Sequence, residues 1–135
     1  MNLKKLIDQL IEHEGLRLKP YVCSAGKLTI GIGRNLVGKG ISEREARFLL
    51  DNDIQECYDD LLPLFINFKL IQDSIQHVLL DMRFQLGPGG FRGFKKMITA
   101  VNNQNQEEMI KQMKDSNWYK QTPGRVEKLI KIIEG

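Results

Sequence analysis

Leu3, Leu6, Ile7, Leu10 and Ile11 recur at the three- and four-residue spacing of one helix face, with polar residues between them. Gly15 follows as a residue suited to the position just past a helix end, so a helix is predicted over 3–13. The pattern then changes. Leu16-Arg17-Leu18-Lys19 and Thr29-Ile30-Gly31-Ile32 alternate, and Cys23-Ser24-Ala25-Gly26-Lys27 between them has turn composition. This predicts a small antiparallel hairpin over 17–35. Gly38-Lys39-Gly40 reads as a loop.

Ser42-Glu43-Arg44-Glu45 has the form of a capping box, with Ser42 as N-cap and Glu45 three residues on. Ala46, Leu49, Leu50, Ile54, Cys57, Leu61 and Leu62 continue the apolar stripe to Pro63, which predicts one long amphipathic helix. Asp73 with Gln76 is expected to cap the next helix, which carries Ile75, Val78, Leu79, Met82 and Leu86 and stops at Gly87-Pro88-Gly89-Gly90. Two shorter helices are predicted over 94–101 and 106–114. Thr122 as N-cap and Pro123 at the first helical position open the last, through Val126, Leu129, Ile130 and Ile133. Strands in one early patch and helices elsewhere imply an α+β fold, mostly helical with a small antiparallel β-hairpin lobe. The expected organisation is a single domain. It has a β lobe over 15–41, a connecting helix over 42–62, and a helical lobe made from 1–14 and 63–135. A cleft between the two lobes is the expected place for a ligand.

Composition narrows the classes. A chain of 135 residues, 41% hydrophobic and 27% charged, can bury a core without disulfides or a structural metal. A net charge of +3 would favour an anionic polymer but does not name one. With no basic stripe, it argues against a nucleic-acid binder. Cys23 and Cys57 are too few and too far apart for a disulfide framework. Cysteine pairs and histidines at ligand spacing are missing, so no metal is expected, and His13 and His77 read as ordinary helix residues. Gly31-x-Gly33 has Leu36 where a dinucleotide fingerprint needs its third glycine. Asp8, Gln9 and Glu12 break the first apolar run, so no signal peptide is expected there.

Glu14 is the first candidate for chemistry. It stands at the C-terminal end of a predicted helix, where the dipole disfavours a carboxylate and favours a general acid. On position alone, a solvated surface group is the simpler reading. The surrounding residues change that balance. Glu14-Gly15-Leu16-Arg17-Leu18-Lys19-x-Tyr21, then Gly26-x-x-Thr29-Ile30-Gly31-Ile32-Gly33, resembles the active-site segment of the phage lysozymes of T-even type. The family pattern is Glu, eight residues, Asp or Cys, five residues, Thr; Glu14, Cys23 and Thr29 meet both spacings. The likeness resumes at Met82-x-Phe84-Gln85-x-Gly87, at Gly93-Phe94, and at Trp118-Tyr119-x-Gln121-Thr122-Pro123-x-Arg125.

The resemblance implies a lysozyme-like fold and a muramidase that cuts the β-1,4 bond between N-acetylmuramic acid and N-acetylglucosamine. Glu14 would protonate the glycosidic oxygen, Cys23 would act as base or nucleophile, and Thr29 would orient water. A free thiol titrates near ~8.5, and a nearby Glu14 carboxylate would push Cys23 higher. Arg125 would reach the acid and hold it. Phe84 and Gln85 would line the substrate site. Arg34 and Asp53 would form a salt bridge beside the hairpin. Trp118, Met109 and Met113 read better as core residues. The implied partner is bacterial peptidoglycan, with no cofactor, no nucleic acid and no stable membrane association. A monomer is expected. It would be made in the host cytoplasm and reach the wall once a separate holin opens the inner membrane. The rival from another class is a non-catalytic, lysozyme-like wall-binding protein. Intact Glu14 and Thr29 in register favour the enzyme.

Overall fold

The computed structural model describes residues 1–135. The chain divides into two units, Met1–Phe48 and Leu49–Gly135.

The first unit opens with α1 (Leu3–Glu14). Asn2 caps it, its side chain accepting the Lys5 N–H at 3.1 Å. Gly15, at φ +79°, ends it and donates its N–H to the Ile11 carbonyl at 2.8 Å. The chain then forms β1 (Arg17–Val22), β2 (Leu28–Gly31) and β3 (Arg34–Asn35), an antiparallel sheet in that order. Tyr21 faces Thr29, and Thr29 faces Asn35 on the other side. Register slips between Arg17 and Tyr21. Pro20 lies in that stretch and has no N–H to give the ladder. The predicted hairpin is thus extended by a third strand, two residues long and too short to show alternation in sequence. The capping box forms as expected: Glu45 N–H donates to Ser42 Oγ at 3.1 Å, and Ser42 N–H donates to Glu45 Oε1 at 2.9 Å. It starts α2 (Glu43–Leu61).

The second unit holds the main core. Two single-turn 3-10 segments, Leu62–Leu64 and Phe68–Leu70, lead to α3 (Asp73–Arg92), α4 (Lys95–Asn102), α5 (Gln106–Lys114), α6 (Asn117–Gln121) and α7 (Pro123–Glu134). α3 packs on α7 and α4 on α5, and Val78, Leu79 and Met82 of α3, Met97 of α4, Met109 and Met113 of α5, and Val126 and Ile130 of α7 share one buried core. Trp118 is buried, edge-on to Phe94 at 5.9 Å between ring centres.

Several local expectations change. Asp73 does not cap α3 with Gln76. Asp73 lies inside the first turn, and the Gln76 amide donates to the Ile71 carbonyl at 2.7 Å. Gly87, at φ +76° and ψ 171°, breaks α3 where its stop was predicted, but Pro88 starts a further turn that runs to Arg92. Thr122 does not cap α7 with its side chain; its hydroxyl donates to the Trp118 carbonyl at 3.1 Å. α6, not anticipated, is capped by Ser116, which accepts the Tyr119 N–H at 3.1 Å. Arg83 is also unexpected. It is 6% exposed on the core side of α3, and its Nε donates to Asp60 Oδ2 at 2.9 Å.

Candidate active site

Glu14 is the last residue of α1 and is exposed. Its carboxylate lies over Gly33, in the turn between β2 and β3, where Glu14 supplies the three atoms nearest to a Cβ placed on the glycine. Gly33 is four positions on from Thr29, so their Cα atoms are no more than about 14 Å apart.

Cys23 begins the tight turn that joins β1 to β2. Its N–H donates to the Lys27 carbonyl at 2.9 Å, and its own carbonyl accepts the Gly26 N–H at 2.8 Å. Gly26 sits at φ +77°, which a side chain would strain. The turn folds the main chain back on the half-buried sulfur. Hydrogen bonding from the Lys27 backbone, then the Thr29 hydroxyl, then the Ala25 backbone, holds the thiol below its ordinary range. The shift is thus opposite to the one expected from a nearby carboxylate. No carboxylate is among the groups that act on the thiol; the opposing effect is desolvation, and the hydrogen bonds of the turn outweigh it.

Thr29 is 4% exposed, a buried polar residue in the middle strand. Its hydroxyl donates to the Lys27 carbonyl at 2.8 Å. A hydroxyl has one proton, so it cannot serve Lys27 and the Cys23 sulfur together. With the proton on Lys27, Thr29 presents lone pairs; turned toward sulfur, it stabilises a thiolate. Lys27 is therefore the hub. Its carbonyl takes both the Cys23 N–H and the Thr29 hydroxyl, and its own backbone N–H is the strongest influence on the sulfur.

Arg34 pairs with Glu45, not with Asp53 as expected. Its two terminal nitrogens meet Glu45 Oε1 at 2.9 Å and Oε2 at 2.8 Å, and it also donates to the Gly40 carbonyl at 3.2 Å. The capping box already fixes the Glu45 carboxylate, so the guanidinium finds a preset partner, while Asp53 stays exposed on α2. The Arg34 bond, with help from Ser42, lowers Glu45 to about 2.

In the second unit, Phe84 and Arg125 come together on an apolar cavity of about 450 Å³ lined also by Leu50, Ile54, Cys57 and Asp81. The partner of Arg125 is Asp81: Nε and Nη2 reach Oδ1 at 3.0 and 2.7 Å. The resemblance had assigned that guanidinium to Glu14. Packing of α3 on α7 supplies Asp81 directly. Phe84 is 47% exposed. The Gln85 side-chain carbonyl is occupied by the Trp118 indole N–H at 2.8 Å, which leaves its amide nitrogen for other contacts. Burial pushes the Cys57 thiol up, the reverse of Cys23. Sequence reasoning missed Lys27, Gly33 and Asp81. The first two act through the backbone and leave no side-chain signal. Asp81 had none beyond its place on α3.

Residues 11–131 match the family model described as Phage lysozyme. The chain is 30% identical to the pre-baseplate central spike protein Gp5 of Enterobacteria phage T4, over 95% of this chain and 27% of that protein. It is 25% identical to Probable T4-type lysozyme 1 of Dictyostelium discoideum, over 94% of this chain and 92% of that one. It is 26% identical to Peptidoglycan hydrolase gp36 of Pseudomonas phage phiKMV, over 91% of this chain but 14% of that protein. The chain thus spans about a quarter of the first of these relatives and nearly all of the second.

Proposed function

The chain belongs to the phage lysozyme family, and from that premise we propose that it hydrolyses peptidoglycan at the β-1,4 bond between N-acetylmuramic acid and N-acetylglucosamine. The observation that carries this reading is the turn that ties Cys23 and Thr29 to the same Lys27 carbonyl, in a unit where Glu14 ends the first helix.

In the reaction, Glu14 gives its proton to the glycosidic oxygen as the C1–O bond breaks. A water supplies the oxygen that bonds to C1, and its proton goes to the Cys23 thiolate. Thr29 suits the orienting role because its own proton is engaged by Lys27, so its oxygen accepts one hydrogen of that water. With its other hydrogen on sulfur, the water turns a lone pair toward the sugar. This arrangement inverts the anomeric centre. Attack by sulfur itself would retain it, since a covalent intermediate adds a second displacement.

Clearing of purified murein tests the assignment. Glu14→Gln and Cys23→Ala should each lose nearly all activity, and Cys23→Asp should keep much of it. A thiol alkylator should inactivate the native protein and spare Cys23→Asp, because Cys57 is buried with a raised pKa. Near-native clearing by Glu14→Gln would refute the acid. Retained configuration in the released sugar, read by NMR, would make Cys23 the nucleophile.

The biological setting we propose is host lysis, with the enzyme made in the host cytoplasm and released to the wall by a holin. No helix is long and apolar enough to cross a membrane. Expression alone should leave cells intact, and permeabilising the inner membrane should lyse them. The likeness to a spike protein favours a second setting, the same catalytic domain carried on the virion. Mass spectrometry of purified virions separates the two.

A further inference from the structure

We infer that Gly33 is a positioning residue for the general acid: its bare Cα is the surface on which the Glu14 carboxylate is set. The inference rests on the reading of Glu14 as the acid.

The geometry is direct. A Cβ added at Gly33 would lie 2.6 Å from Glu14 Oε2, 3.0 Å from Cδ and 3.2 Å from Cβ. Ordinary contact begins at 3.4 Å, so the carboxylate oxygen would have to retreat by about 0.8 Å, the difference between 3.4 and 2.6. Torsions at the tip of the side chain can move Oε2. They cannot move the Glu14 Cβ, which travels only with α1. The overlap therefore runs along the whole acid, from its root to its reacting oxygen. Gly33 also has φ +66°, a conformation that L side chains rarely adopt.

These two demands on Gly33 are separable, because Gly31 shares only one of them. Gly31 has φ +69°, yet a Cβ there meets nothing within 4 Å. It lies two residues upstream, at the end of β2. Alanine at 31 carries the backbone strain without touching the acid; alanine at 33 carries both. A displacement of this size at a reacting group lowers rate by about a hundredfold.

The test compares Gly33→Ala with Gly31→Ala in murein hydrolysis, each rate taken per folded molecule, and crosses both with Glu14→Asp. In Gly33→Ala we expect kcat to fall by about a hundredfold with little change in KM. In Gly31→Ala, kcat should hold. The shorter acid of Glu14→Asp should cost its full factor on native and Gly31→Ala backgrounds and little more on Gly33→Ala, since the two lesions share one effect. Equal kcat in the two alanine variants, or additive losses at 14 and 33, would overturn the inference. If Gly33→Ala fails to fold, nuclear Overhauser contacts between the Gly33 Hα and Glu14 Hγ protons decide it in the native protein, and their absence overturns it. Glu14→Gln separates this from the reading beneath it. If that variant stays active, the acid assignment falls and Gly33 with it. If it is dead while Gly33→Ala matches Gly31→Ala, only the positioning role falls.

Discussion

Replacing Thr29 by Val distinguishes a catalytic hydroxyl from one that merely braces a turn. The side chain is buried, and Val has nearly its shape, so the change removes one hydroxyl and adds a methyl. The Lys27 carbonyl is not orphaned, because it still accepts the Cys23 N–H at 2.9 Å. The stability cost is then one net hydrogen bond, about 1 kcal/mol. For a chain of this length that lowers Tm by about 4 °C. A protein with about 5 kcal/mol of stability would still be more than ~99% folded at 25 °C. The catalytic loss is larger. With its proton on Lys27, Thr29 is the proposed acceptor for the attacking water; with its proton turned to sulfur, it lowers the Cys23 thiol. Losing an oriented water lowers rate by at least about a hundredfold, equivalent to about 2.7 kcal/mol of barrier. Murein clearing, thermal melting by circular dichroism, and the pH dependence of Cys23 alkylation read the three effects separately. Alkylation should move to higher pH as the thiol shifts up toward its ordinary value, and Thr29→Ser should restore most of the rate. A Thr29→Val protein that melts a few degrees lower and clears murein at the native rate would refute the reasoning.

Three further outcomes follow from the packing and the charges. Glu45 has its folded-state pKa lowered from 4.5 to about 2, so its contribution to stability is full above about pH 4.5 and is lost as pH falls toward 2; Glu45→Gln should flatten acid unfolding in that window, measured by proton uptake or by melting against pH. Asp60→Ala leaves the Arg83 guanidinium buried without its close partner and should cost about 3 kcal/mol, most of it recovered in the double variant with Arg83→Met, as urea titration would show. Met82 of α3 is fully buried in the core, so Met82→Ala should cost about 2–5 kcal/mol by the same titration while leaving kcat per folded molecule near native.

The helices were legible because they rest on local rules. The capping box at Ser42 and the glycine after Glu14 each name one end, and the core stripe of α7 is strictly periodic. Misreadings arose where two local rules compete. Thr122 has the composition of an N-cap, but its hydroxyl closes α6 instead, since the Trp118 carbonyl lies one turn back. Partner choice was the least legible layer. Arg34 is expected on Asp53 and finds Glu45, a carboxylate already fixed by Ser42. Arg125 takes Asp81 through the packing of two helices far apart in the chain. Spacing along a sequence ranks helix neighbours well, but it says little about which of several acids lies opposite one base.

The direction of the Cys23 shift shows why a thiol can stand where the family pattern also allows a carboxylate. Side-chain reasoning placed Cys23 beside an acid and expected its pKa to rise. The turn reverses this, because the Lys27 main chain, the Thr29 hydroxyl and the Ala25 main chain all act on the sulfur as hydrogen-bonding partners. Such a turn selects for an anion more than for a residue type: a carboxylate at position 23 could accept the same donors. A neutral side chain of similar size could not, since the donors would then hold no charge and the water would lose its base. Cys23→Asn should therefore fold like Cys23→Asp, with melting temperatures within a few degrees, yet clear murein no better than Cys23→Ala. Substantial activity in the Asn variant would mean that the charge held by this turn is not what the reaction uses.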